Sequence, residues 1–370
     1  MEYRELPRGG ERISVIGVGT SVIGESEPAE AQATFEEAFA SGINYVDLAA
    51  GHGGAFPALG AALRAGAAGR RGDLMLQVHF GNDFDRETGA YAWTGDLETM
   101  RRSVDWQLSE LGTDYIDFAF IHCVDAEADL ESFVHGGALD HVIRLRDEGV
   151  VRHLGLSSHT PSLAHRGLDL GVIDMLMFSV NPVYDYGKGD YGIGEVPERQ
   201  ALYRRCEAEG VGIAVMKPFA GGQLLDARTS PFGAALTPFQ CLQYALDKPA
   251  VLTVLPGVRS RRELWEALAF LEASPEERDY AVLSEFAPVE AEGACVYCNH
   301  CQPCPAGLNV ALINKYYDLD LAGDPLAAGH YAKLEPKAGD CVGCGHCDER
   351  CPFKVAQSAR MREIAAHFGA

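Results

Sequence analysis

Eight of the eleven cysteines in this chain of 370 residues fall in its last quarter, in two runs. One reads Cys341-x2-Cys344-x2-Cys347-x3-Cys351-Pro352, the ligand spacing of a 4Fe–4S cluster. Cysteines at steps of three, on a loop kept open by Gly343 and Gly345, can turn their sulfurs into one concavity, and the proline turns the chain away. The other run holds Cys295, Cys298, Cys301 and Cys304-Pro305, one residue tighter at its last step. Zinc also takes four thiolates, but its sites usually separate two C-x2-C pairs, and back-to-back runs of four fit it poorly. Clustering in a chain with no sign of secretion favours metal over disulfides. The other three cysteines, Cys123, Cys206 and Cys241, sit in apolar stretches and read as small core residues.

Two runs predict two clusters. In two-cluster ferredoxins the fourth cysteine of each run serves the other cluster. On that rule one set is Cys295, Cys298 and Cys301 with Cys351, and the other is Cys341, Cys344 and Cys347 with Cys304. The segment between the runs has helical apolar spacing.

A second group of chemically capable residues is spread over the first 290 positions. Asp47, His79, His122, Ser157, Ser158, Asn181 and Lys217, and Gly257 with Arg259, each end or follow a short apolar run. The runs are 17–20, 44–49, 74–80, 116–122, 152–158, 175–181, 212–218 and 252–257, with amphipathic stretches such as 28–42, 96–112 and 197–210 between them. Near-continuous apolar strands imply a parallel sheet covered on its outer face. Eight strand–helix units in this length predict a (β/α)8 barrel, which places chemistry at the C-terminal ends of the strands. A doubly wound sheet is the alternative, but the glycines of 17–24 are misplaced for its dinucleotide fingerprint. A polar residue ending one strand is usually a cap; an acid and two histidines among so many ends are harder to explain that way.

Composition narrows the partners. The net charge of −22 argues against nucleic acid. It reads as an acidic, solvated surface or as one that docks a redox partner. No stretch approaches the length needed to cross a bilayer, and the N-terminus lacks the apolar core of a signal peptide. A cytoplasmic protein with no membrane partner is the expectation.

At these residues the chain resembles the aldo-keto reductase family. The matching stretches are "GINYVDLA", "YIDFAFIH", "GLSSH", "VMKPFAGGQLL" and "LPGVRSRREL", in the family's order. The tail is similar to a subgroup of those reductases that carries ferredoxin-like clusters. The resemblance implies a barrel over 1–285, then a small helical ferredoxin-like domain over 286–370 with two 4Fe–4S clusters. It implies reduction of a small carbonyl substrate with NADP(H) by an aspartate, a tyrosine, a lysine and a histidine. Asp47 and His122 fall on their motif positions; the tyrosine's position is His52, and His79 stands where the lysine belongs if one residue of spacing is allowed. In this reading Asp47 is the charge partner, His52 the proton donor, His79 the lysine's substitute and His122 the substrate-orienting group. Ser157, Ser158, Asn181, Lys217, Gly257, Arg259, Ser260 and Glu266 are the cofactor candidates, with arginine suited to a ribose phosphate.

Clusters move single electrons, whereas hydride transfer moves two at once. Their presence points either to exchange with a ferredoxin-like partner or to a structural staple. Other classes also stand. One is a lyase or isomerase using His52, His79 and His122 for proton transfer or metal binding. The last is an electron-transfer module with an inert barrel.

Overall fold

The computed structural model describes residues 1–48, 54–84, 91–187, 194–286, 293, 295, 297, 301–321, 327–351 and 353–369. His52 and Cys298 lie outside the described residues. The chain divides into two compact units, both discontinuous in sequence, where the sequence suggested one cut near residue 285. The first holds Met1–Val180, Val211–Pro218 and Val251–Ala273; the second holds Asn181–Gly210, Phe219–Ala250 and Ser274–Ala370.

The first unit contains the sheet. Its strands are β1 (Val18–Gly19), β2 (Tyr45–Leu48), β3 (Met75–Phe80), β4 (Ile116–Ile121), β5 (Val151–Ser158), β6 (Met175–Ser179), β7 (Gly212–Met216) and β8 (Val251–Val254). Each pairs in parallel with the next in sequence. Parallel bridges Ile16–Val254 and Gly19–Gly257 join the last strand to the first, with Gly17 N–H donating to Val254 O at 2.9 Å. The sheet therefore closes into a barrel, as expected. A hairpin of Tyr3–Glu5 and Arg12–Ser14 precedes it.

The strand sequences explain the closure. Every residue of β3 and β4 is buried, as parallel strands covered on both faces require. One face of the strands supplies a core of Tyr45, Met75, Phe118, Phe120, Met175 and Met177 with Ala214, Leu252 and Leu255. Gly155 on β5 is a fitting residue: a Cβ there would lie 2.3 Å from the Phe120 ring. The helix Leu97–Leu111 shows how the covering elements form. Asp96 caps it by accepting from Thr99 N–H at 2.8 Å, and Gly112 ends it in the left-handed conformation. It buries Met100, Val104, Gln107 and Leu111, one helical face.

The second unit is mostly helical, with Val196–Ala208, Pro238–Leu246, Val310–Leu321, Ala327–Ala332 and Gln357–Phe368. Two apolar cores hold it. One gathers Tyr184, Tyr186, Leu224, Tyr244 and Tyr280 around Cys295 and Phe353; the other gathers Leu308, Ile313, Tyr331, Met361 and Ile364 around Cys301 and Cys347. A fully buried ion pair, Asp185 with Arg199 at 2.9 Å, is completed by the hydroxyls of Tyr203 and Tyr244. No helix among the described residues is long and apolar enough to cross a membrane.

Candidate active site and cysteine cavity

Three neighbouring strand ends bring Asp47, His79 and His122 together. Register makes this possible: Asp47 lies opposite Gln77, and His79 opposite Phe120. Side chains two residues apart on a strand share a face, so His79 follows Gln77 and His122 follows Phe120. His79 Nε2 lies 2.8 Å from Asp47 Oδ1, both groups being nearly sealed from solvent. Gln77 Nε2 donates to the same oxygen at 2.9 Å, and Tyr45 OH donates to Gln77 Oε1 at 2.5 Å, which orients the amide. With the Nε2 proton of His79 on Asp47, its Nδ1 accepts from His122 Nδ1–H at 2.9 Å. The two rings stand edge to face, their centroids 4.8 Å apart.

This chain of contacts has a protonation logic. Burial drives the His122 pKa down to about 2, helped by His79 and His159 and opposed by Asp125. His122 is therefore neutral at neutral pH. In the tautomer just described its Nε2 is an acceptor; if His79 takes a second proton, His122 must accept at Nδ1 and its Nε2 becomes a donor. A proton entering at His79, steadied by Asp47, reverses the outward character of His122. That is the property of a proton relay.

A second polar cluster lies at the ends of β4, β5 and β7. Asp125 Oδ1 accepts from His159 N–H at 2.6 Å, and its Oδ2 faces His159 Nδ1 at 2.7 Å. Lys217 Nζ lies 2.9 Å from His159 Nε2, and the Cys123 thiol donates to Asp125 Oδ2 at 3.2 Å. The His159 contacts hold the Asp125 carboxyl below the usual carboxylate range against the opposing effect of burial. Burial and Asp125 push the Cys123 thiol up to about 12. Cys123, Asp125 and His159 are the group of metal-ligand type that converges among the described residues. Sequence reasoning missed this cluster. Cys123 is not the core residue expected, because it sits half-buried past a strand end and bonds to a carboxylate. Cys206 and Cys241 are fully buried, as expected. The signal was there: "HCVD" directly follows one apolar strand and "SSH" closes another.

The cofactor candidates occupy varied settings. Ser158 is buried and donates to Val124 O at 2.7 Å, while the Ser157 carbonyl accepts from Val124 N–H. Asn181, in the second unit, caps Pro182–Asp185 by accepting from Tyr184 N–H. Gly257 bridges to Gly19. Ser260 caps the helix Arg261–Leu268, and Glu266 pairs with Arg262 on its exposed face. Arg259 and Arg262 expose their guanidinium groups near that helix start, a chemistry that fits a ribose phosphate.

In the second unit, Cys301, Cys304, Cys341, Cys344 and Cys347 line one cavity together with Pro305, Leu308 and His346. Gly343 and Gly345 take left-handed φ values of 65° and 76° in the loop carrying three of these thiols, a conformation that L side chains rarely adopt. Cys295 and Cys351 belong to the other apolar core of that unit, with Gln357 Nε2 3.8 Å from Cys295 Sγ. Five thiols around a single space fit the donor chemistry of an iron–sulfur cluster.

The family model described as Aldo/keto reductase family matches residues 15–235. An uncharacterized oxidoreductase, YqkF of Bacillus subtilis, is 29% identical over 72% of this chain and 90% of its own length. L-galactose dehydrogenase of Arabidopsis thaliana is 26% identical over 73% of this chain and 88% of its own. Among solved structures, aldo-keto reductase AKR11C1 from Bacillus halodurans, in its holo form, aligns with a TM-score of 0.62 at 24% identity. It covers 78% of this chain and 96% of that one, a likeness of fold.

Proposed function

Because the chain belongs to the aldo/keto reductase family and is an oxidoreductase, we propose that it interconverts a small carbonyl compound and its alcohol with NADP(H) at an altered, histidine-rich site. The observation that carries this reading is the hydrogen bond of 2.8 Å from His79 to Asp47, continued to His122 at 2.9 Å. The resemblance calls for a basic group paired with that aspartate, and the His79 imidazole stands in that place. Bound NADP(H) supplies or takes up the hydride. The protein's own work is proton handling and positioning. His122 orients the carbonyl oxygen, and Asp47 holds the charge of His79. His52, at the tyrosine's place in the motif, gives the proton to the oxygen. Arg259 and Ser260 hold the ribose phosphate, and Ser157, Ser158, Asn181, Lys217, Gly257 and Glu266 complete the cofactor candidates.

The reading extends to two 4Fe–4S clusters in a ferredoxin-like domain over 286–370. Cys341, Cys344, Cys347 and Cys304 would hold one, supported by the cavity they share. Cys295, Cys298, Cys301 and Cys351 would hold the other; Cys295 and Cys351 share an apolar core, while Cys301 also lines the cavity of the first set. The clusters would supply one-electron steps to a ferredoxin-like partner.

The test is an anaerobic titration of the cluster-loaded protein with NADPH, following nicotinamide fluorescence and cluster absorbance together. Saturable binding supports the hydride reading, and bleaching of the clusters links them to it. No binding at millimolar NADPH overturns it in favour of a proton-transfer enzyme.

A further inference from the structure

We propose that, when no NADP(H) occupies the place for which Lys217 is also a candidate, Lys217, His159 and Asp125 form a nucleophilic-amine site, which captures a small aldehyde or ketone as an imine on Lys217 Nζ. The arrangement is that of an activated nucleophile: the amine is 2.9 Å from an imidazole nitrogen, and the other ring nitrogen is 2.7 Å from a carboxylate that orients it. Asp125 also accepts the His159 backbone N–H at 2.6 Å, so both ends of that residue are fixed. The three residues follow β4, β5 and β7 at their C-terminal ends, where barrel enzymes carry out chemistry. Part of Lys217 remains in solvent, although its neighbours desolvate the amine.

Backbone strain marks the same place. Cys123 and Lys217 are non-glycine residues with φ of 49° and 56°, and both direct their side chains into this one cluster. Such conformations persist where the surroundings enforce them, and they gather at functional sites. Burial lowers the Lys217 pKa, which favours the neutral amine, while Cys123 and Asp125 oppose the shift. Cys123, Asp125 and His159 also have the chemistry of metal ligands. A metal on His159 Nδ1, however, would break the bond to Asp125 and turn the Nε2 proton toward the Lys217 ammonium. The amine reading keeps the contacts of His159 with both Asp125 and Lys217.

The step balances without an oxidant. The Lys217 ammonium passes a proton to His159 Nε2, and the neutral amine attacks the carbonyl carbon. A proton moves from nitrogen to oxygen, giving a carbinolamine. The His159 imidazolium protonates its hydroxyl, which leaves as water while the C=N bond forms. One positive charge enters as ammonium and remains as the protonated imine.

The full chain is incubated with glycolaldehyde and sodium cyanoborohydride, and labelled lysines are mapped by peptide mass spectrometry. Lys217 is expected to be modified at least about tenfold faster than the exposed Lys333, and His159→Asn to remove most of that advantage. Lys217→Arg abolishes labelling at that peptide alone. The proposal is overturned if wild-type Lys217 reacts no faster than Lys333, a result that needs no variant to fold, or if a folded His159→Asn protein labels as fast as wild type. No nicotinamide is present, so the outcome is independent of whether NADP(H) binds.

Discussion

In the proposed mechanism Asp47 is paired with His79 where the resemblance implies a lysine. A lysine would place one ammonium on Asp47, whereas His79 places one ring nitrogen on Asp47 and the other on His122. Replacing His79 by phenylalanine removes that partner, and NADPH-dependent carbonyl reduction is expected to fall by about 10²–10⁴ in kcat. His79→Lys should recover part of the loss, and steady-state kinetics of the two variants check both. His122 also leaves a mark on stability. Its pKa is depressed to about 2 in the folded protein, while in the unfolded chain it is near 6.5. Below pH 6.5 the unfolded chain takes up a proton that the native His122 refuses, so stability must fall as pH falls. Between pH 6.5 and 5 this group costs about 2 kcal/mol. Urea denaturation of wild type and His122→Asn at both pH values isolates the effect, since His153, raised by its carboxylate neighbours, contributes equally to each.

The strands and helices hold these residues through packing that tolerates little change. Phe120, on the strand that leads to His122, fills the space left by Gly155. A methyl group at Gly155 would overpack that contact, and Gly155→Ala is expected to cost about 1–3 kcal/mol. Adding Phe120→Leu should relieve much of it, which a double-mutant cycle of unfolding free energies reads directly. In the second unit the element at risk is Val196–Ala208. It buries Arg199 against Asp185, Tyr203 and Tyr244, and Asp185→Ala would leave a charge in the interior. The expected cost is about 3–5 kcal/mol by chemical denaturation. The positions of these elements were legible in the sequence. β3 was expected at 74–80 and runs Met75–Phe80; the helix expected at 96–112 runs Leu97–Leu111. The short hairpin Asn82–Phe84 with Tyr91–Trp93 was not legible, because three-residue strands carry too little periodicity to stand out.

Over the whole molecule, the proposed clusters would tie cofactor binding to folding. Cys301 and Cys347 sit in the same apolar core as Ile313 and Met361, so clusters held by these thiols, one from each proposed set, would brace that core. Stripping iron with a chelator is expected to lower the unfolding temperature and to release the 301–369 region to proteolysis before the barrel segments. Limited proteolysis with mass spectrometry tests this. With a net charge of −22, any complex with a basic redox partner should weaken as salt rises. By itself the sequence determined the order of eight parallel strands, the residues at their ends, and the two cysteine runs. Those are local facts, set by apolar periodicity and by ligand spacing along the chain. Only the tertiary structure decided that His79 pairs with Asp47 and passes contact to His122, and that Cys301 joins Cys304, Cys341, Cys344 and Cys347 around one cavity. It also decided that Lys217 meets His159, a residue 58 positions away. Such pairings depend on strand register and barrel closure, which bring together groups remote in sequence, and no local pattern records them.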